Sequence, residues 1–359
     1  MATFTAVDDP QAHFQIKLYT GEHGSGSGTS THTLDGTTDM QPDLVWIKTR
    51  SNTSNHQMHS ALTAEAYHYL KPNATTTLTT SNTAALTSFN SDGFTLGSDG
   101  VINEDGYTYV AWCWKGGTTS GISGSGDITP SAYSFNQTSG VSIIQYTGTL
   151  SSSGTDTVLH GLNAVPKFFI TKQRNSTSVW YVWHTSLTSI NYRLNLNDSP
   201  AEADGSGNGS MSNPTSTVID TNHGGGLNES SQTYQGLIFA EKQGFSKFGS
   251  YNANNNADGP FVYLGFKPAF LMIKEYNNSE AWIVWDNKRD PYNEVQKTLV
   301  PNNNNAEDTS STNDDIDFLS NGFKIRCTSY INNSGGKYAY VAFAEAPFIN
   351  SNGVPCNAR

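Results

Sequence analysis

The sequence predicts an all-β protein built from three tandem antiparallel β-sandwich modules, jelly-roll or lectin-like, produced by internal repeats. Three observations lead there. Charged residues are only 14% of the 359-residue chain while aromatics reach 11% with 7 Trp, against roughly 25% charged in ordinary soluble domains; this favours sheets joined by turns over long amphipathic helices. Asp-Gly and Asn-Gly, in "SDGF" and "SNGF", lie between strand-forming residues and signal tight hairpins. The same short phrases then recur in one order three times.

The repeat can be followed strand by strand. A tyrosine strand comes first, "LYTG" with Tyr19, "QYTG" with Tyr146 and "GSYNAN" with Tyr251. A proline-led apolar run follows, "PDLVWIK" from Pro42, "PKFFITK" from Pro166 and "PAFLMIK" from Pro268. Continuous apolar runs of this kind predict strands covered on both faces, and proline is tolerated at the first residue, which need not donate to the ladder. A Trp-x-x-Trp strand comes next in two copies, Trp180 and Trp183, then Trp282 and Trp285; "NHQMHS" stands there in the first. The hairpin "FNSDGFTLG" (Phe89–Gly97) matches "FLSNGFKIR" (Phe318–Arg326), while the middle copy reads "STVIDTNHGGGLN". Each copy closes on an aromatic strand, "TYVAWCWK" with Trp112, "TYQGLIFAEK" with Phe239 and "AYVAFAEA" with Phe343.

These landmarks place an N-terminal segment at 1–13, modules at 14–116, 141–244 and 245–349, and a tail at 350–359. Residues 117–140 are rich in Gly, Ser and Thr and predict a flexible connector. The second and third modules meet through "AEKQGFSKFGSY", a join short enough to predict a rigid pair.

A net charge of −11 and a pI near 5.2 argue against a phosphate-neutralising groove, so no nucleic acid partner is expected. No stretch approaches the ~18 apolar residues of a membrane span, and "MATFTAVDDP" lacks the basic and apolar regions of a signal peptide, which predicts assembly in a cytoplasm without membrane insertion. Cys113, Cys327 and Cys356 are too few for a disulfide scaffold and lack metal-ligand spacing; Cys113 and Cys327 read as small buried apolar residues.

Candidate chemistry is sparse. No nucleophile elbow, phosphate loop or dinucleotide fingerprint occurs, and "GSGSGT" (Gly24–Thr29) reads as a loop. His56 and His59 in "HQMH", with His68 downstream, lack the third ligand of a metal site. Glu241 and Glu345 occupy matching places in "FAEK" and "FAEA", with Trp114 at that place in the first copy; a structural bond outweighs the paired-carboxylate chemistry of glycosidases. Asp314, Asp315 and Asp317 form an acidic cluster. Asp286–Asp290 and the Asn-rich loop after Pro301 offer oxygens but not the EF-hand spacing for calcium. Trp180 and Trp183, three apart on a strand, face opposite ways and cannot share one sugar platform, so at least one is core. No catalytic, cofactor-binding or metal residue is therefore assigned, no cofactor is expected, and the ligand-binding residues are unknown at this level.

"GFSKFGSY", "NADGPFVYLGFKPAFLMIK", "AWIVWDNKRDPYN", "IDFLSNGFKIR" and "YVAFAEAPF", with "QPDLVWIKTRS" and "HGLNAVPKFFITK" in the earlier copies, resemble the repeated domain of uncharacterised virion proteins of tailed phages, common in marine and cyanobacterial phages. The resemblance covers roughly residues 14 to 348. It implies a non-enzymatic virion structural protein on the particle exterior, first a tail fibre or receptor-binding appendage, with a capsid decoration or head-fibre protein as alternative and a glycan depolymerase behind both. It further implies other virion proteins as partners, a host-surface glycan as possible ligand, and a homotrimer whose interface the Trp and Phe strands would supply.

Overall fold

The computed structural model describes residues 5–24, 26–206, 209–224 and 226–355. It is all-β: six antiparallel sheets and two short 3₁₀ turns, with no α-helix among the described residues. The sheets come in three pairs, each a larger sheet and a three-stranded one. The first larger sheet orders its strands Phe14–Thr20, Thr108–Trp114, Leu44–Thr49, Gln57–Ser60, Tyr69–Leu70. The second runs Ala203–Asp204, Tyr192–Asn195, Trp180–His184, Phe168–Gln173, Thr233–Phe239, Val141–Thr147, Ala132–Asn136; the third runs Ser246–Asn252, Lys337–Pro347, Phe266–Glu275, Trp282–Asp286. All three share one central order: tyrosine strand, closing aromatic strand, proline-led strand, Trp or His strand.

The proline-led strands are covered on both faces, and alternation along the strand explains how. Val45 and Ile47, Phe169, and Leu271 and Ile273 point into the space between a larger sheet and its three-stranded partner. Leu44 and Trp46, Phe168 and Ile170, and Phe270 and Met272 point the other way, into one cluster that draws on all three larger sheets. At its centre Phe343 contacts six aromatic rings from the three pairs: Phe14, Trp114, Phe239, Phe245, Phe248 and Phe270, at centroid distances of 5.3 to 6.1 Å. The Trp and Phe strands from which a homotrimer interface is expected are thus interior to a single chain.

Hydrogen bonds close the arrangement into a ring. Trp180 Nε1 donates to the Lys71 and Ala74 carbonyls of the first pair, at 2.9 and 3.1 Å. Trp282 Nε1 donates to the Asn195 carbonyl of the second, at 2.8 Å. His56 stands at the matching place in the first pair, and its Nε2 meets the Val300 carbonyl of the third at 3.2 Å. The backbone N–H of each of these residues is in turn held by an asparagine Oδ1, Asn73, Asn197 or Asn302, at 2.7 to 3.0 Å. Each pair grips the next, second to first, third to second, first to third.

Four expectations need correction. Ala132–Asn136, inside the expected connector, is the edge strand of the second larger sheet, and Thr118 bridges Phe135; Tyr133 and Phe135 give this stretch apolar surface that composition averaged over 117–140 conceals. Pro268 lies within its strand, at a register shift between Lys267 and Phe270, because a residue without an N–H interrupts the ladder. The hairpins form, but their two-residue turns are Ser91–Asp92 and Ser320–Asn321. Gly93 and Gly322 begin the return strands, where a Cβ would collide with the carbonyls of His32 and Val262. Finally, Trp114 and not Trp112 matches Phe239 and Phe343: Leu44, Phe168 and Phe270 pair with Trp114, Phe239 and Phe343 respectively. The likeness of "YVAW" to "YVAF" misaligns the copies by two residues, so Gly116, not Trp114, holds the place of Glu241 and Glu345.

Because each larger sheet has two apolar faces, no pair can stand alone. Residues 245–349 expressed by themselves are expected to aggregate or to lose near-UV circular dichroism, while the full chain melts in one transition. A soluble, cooperatively folding fragment would refute the shared core. Phe343→Ala is expected to cost about 3–5 kcal/mol in denaturant titration.

Candidate functional site

The ring shapes the chemistry of its interior. The lysine that ends each proline-led run is fully buried. Lys48 Nζ donates to the Thr49 carbonyl at 2.7 Å, Lys172 Nζ to the Ser178 and Thr75 carbonyls at 2.9 and 3.2 Å, and Lys274 Nζ to the Glu275 carbonyl. Burial lowers these ammonium groups, Lys48 to about 7 and Lys172 and Lys274 to about 8. Between the first and third pairs runs a chain of charges. Trp112 Nε1 donates to Asp286 Oδ2 at 3.0 Å, Arg289 Nε to the same oxygen at 2.6 Å, Arg289 Nη1 to Glu307 at 3.1 Å, and Arg50 closes on Glu307 with two bonds of 2.9 Å.

The residues singled out from sequence fall into this frame and are not gathered into one site. His56 accepts from Trp46 Nε1 at 3.0 Å through Nδ1, while His59, on the opposite face, meets the Ala66 carbonyl and Gln57. Burial drives His56 to about 3, with Lys48 adding to it, and His59 to about 4. Among the described residues no group of three His, Cys, Asp or Glu is placed to hold a metal ion. Glu241 accepts from the Phe248 N–H at 3.3 Å and Glu345 pairs with Lys267. Asp286 is saturated by Arg289 and Trp112. Asp317 binds Arg326 at 2.6 Å, and burial raises Asp314 to about 6. Trp180 and Trp282 lie in the ring core and Trp183 and Trp285 between the sheets of their own pairs, all buried. Cys113 and Cys327 are buried and unbridged; Cys356 lies outside the described residues.

Sequence reasoning missed the polar devices that recur in register. In each pair two tyrosines stack at 4.9 to 5.0 Å, Tyr19 on Tyr109, Tyr146 on Tyr234 and Tyr251 on Tyr338. The first of each donates to a loop carbonyl at 2.7 to 2.8 Å, that of Ile102, Leu227 or Ile331. The signal was present in the recurrent tyrosines and in "LKPN", "LNLN" and "LVPN", which carry the clamping asparagines. Also missed was an exposed aromatic pair on the three-stranded sheet of the third pair, Phe261 and Tyr263, the second of which lines a cleft of about 370 Å³.

Fold and interior together define an all-β protein in which His56, Lys172 and the chain Arg50–Glu307–Arg289–Asp286 join neighbouring sheet pairs. The chain belongs to the family described as a domain of unknown function (DUF7483), whose model matches residues 9–347 and so spans all three sheet pairs as one unit. No curated protein and no solved structure matches it.

Two predictions follow from the buried charges. Arg289→Ala leaves Asp286 buried without its cation and Glu307 with Arg50 alone, and is expected to destabilise by about 3–5 kcal/mol. The second concerns pH. His32, His59, His160 and His184 are held near 4 and His56 near 3, against 6.5 unfolded. The unfolded chain binds more protons in that window, so stability falls as pH drops from 6.5 to 4. The depressed lysines act in the same sense above pH 7, adding stability toward their unfolded value of 10.5. Tyr109 and Tyr234, raised to about 12 by burial, oppose it once unfolded tyrosine ionises near 10. Calorimetry is expected to place maximal stability at about pH 8–10; a maximum near pH 5 would contradict the assignment.

Proposed function

We propose that the chain is a non-enzymatic structural protein of a bacteriophage virion, carried on the particle exterior as a tail fibre or other receptor-binding appendage. Its sheet pairs are, in this reading, three jelly-roll-type modules derived by internal duplication, which the recurrent tyrosine stacks, asparagine clamps and buried lysines support. One observation supports the non-catalytic reading: the strongly shifted histidines and lysines point inward, and each is hydrogen-bonded to backbone or to a fixed side chain. A depolymerase would need two carboxylates facing one groove, whereas Glu241 and Glu345 each have a separate partner.

A capsid decoration or head-fibre protein is the second reading, and the closed ring favours it, since modules that grip one another do not extend as beads along a shaft. The ring also replaces the interface a homotrimer would use. We therefore propose one chain as the working unit, held by other virion proteins.

Immunogold labelling of purified virions, imaged by electron microscopy, separates the readings. Gold at the tail end is expected; gold over the head would make the protein a decoration, and unlabelled particles would refute both. Light scattering is expected to give the 38.9 kDa of one chain, and a threefold mass would restore the homotrimer.

A further inference from the structure

We propose that Phe261 and Tyr263 form a saccharide-binding platform on the outer face of the third pair's three-stranded sheet, with Tyr263 also lining a cleft at its end, taking a neutral pyranose; this deepens the receptor-binding reading above and rests on it. The two residues are 47% and 54% exposed on the strand Phe261–Tyr263, while Val262 between them is buried. Residues two apart on a strand share a face, so these rings stand side by side, as the Trp-x-x-Trp residues cannot.

The partner strand leaves them uncovered. Tyr263 lies opposite Gly322 and Phe261 opposite Lys324. The Lys324 ammonium is drawn aside to Asp258 at 2.7 Å and to the Gly259 carbonyl at 2.9 Å. Lys247 fixes the tyrosine, donating to its carbonyl at 3.0 Å with Nζ 5.3 Å from the ring centroid. On the rung of the first pair that matches Phe261 stands Thr31, opposite Thr95, so this ring is a departure from the first copy.

The surroundings select the ligand. The cleft of about 370 Å³ is lined by Glu241, Gln243, Lys247, Tyr263, Phe348 and Ile349, within the range of roughly 300–1,000 Å³ that suits small ligands. An aromatic wall beside an amide, a carboxylate and an ammonium suits a molecule with an apolar C–H face and a hydroxyl rim, because the negative face of the ring attracts polarised C–H groups. Charges of both signs disfavour a polyanion. Two rings also fall far short of the roughly 800 Å² per partner of a stable protein interface.

Saturation-transfer NMR on the full chain tests this, with methyl glycosides of glucose, galactose and N-acetylglucosamine and their β-linked trisaccharides at millimolar concentration. Irradiating aromatic protons is expected to saturate the ring C–H protons of at least one probe. Phe261→Ala and Tyr263→Ala should each weaken binding roughly tenfold without changing the melting temperature, and Tyr292→Ala, also exposed, should leave it unchanged. No transfer to any probe, or transfer indifferent to both substitutions, would overturn the platform. Gold on the particle with no saccharide signal removes the platform and leaves the virion reading standing. A signal that needs both rings, in a chain missing from virions, does the reverse.

Discussion

The structure depends on one constraint: each proline-led strand carries apolar side chains on both faces, and a pair of sheets can bury only one of them. The face directed away from the three-stranded sheet needs another partner. Three copies closing on one another supply it, since a head-to-tail contact repeated three times leaves no face over. Phe343 at the hub and the Trp180, Trp282 and His56 grips are two expressions of that closure, the first through dispersion and apolar burial, the second through direction.

Closure also explains the buried lysines. Each is the penultimate residue of the proline-led strand, just before the turn into the Trp or His strand. The carbonyls of that turn face the ring rather than water, and an unpaired buried carbonyl is costly. An ammonium group, with three donors on a flexible stem, can meet two such carbonyls where a hydroxyl or amide would reach one. The lysine therefore recurs in "PDLVWIK", "PKFFITK" and "PAFLMIK" for the same reason the apolar residues before it do.

Much of this was legible. The all-β class, strand identity and two-sided burial of the proline-led runs all came from phrase recurrence and apolar continuity. Ring closure did not, because periodicity states that a face is apolar and not what covers it: Trp180 reads the same whether it meets a neighbouring copy or a second chain. His56 shows the limit most plainly. By composition it suggests a ligand, yet it does the work of Trp180 and Trp282 with a ring nitrogen in place of an indole N–H. The platform residues were hidden for the opposite reason. Phe261 and Tyr263 flank Val262 in an apolar stretch indistinguishable from core until the sheet register turns two of the three outward.

Divergence among the copies follows from the same geometry. Positions of the proline-led strands that face the ring vary in size but stay apolar, Trp46, Ile170 and Met272 at one place and Leu44, Phe168 and Phe270 at another, while the gripping positions His56, Trp180 and Trp282 each keep a ring nitrogen on a backbone carbonyl. Rungs on the outer face of the three-stranded sheets carry no such demand, and there the copies part: Thr31 in one, Phe261 in another. The second copy replaces the tight hairpin by Met211–Ser212 pairing with Val218–Asn222 across a longer loop. A ring that fixes the interior of all three copies at once leaves each three-stranded sheet free to acquire its own surface. Recognition carried by one copy, with the other two holding it in place, is then the arrangement that costs the closed core least.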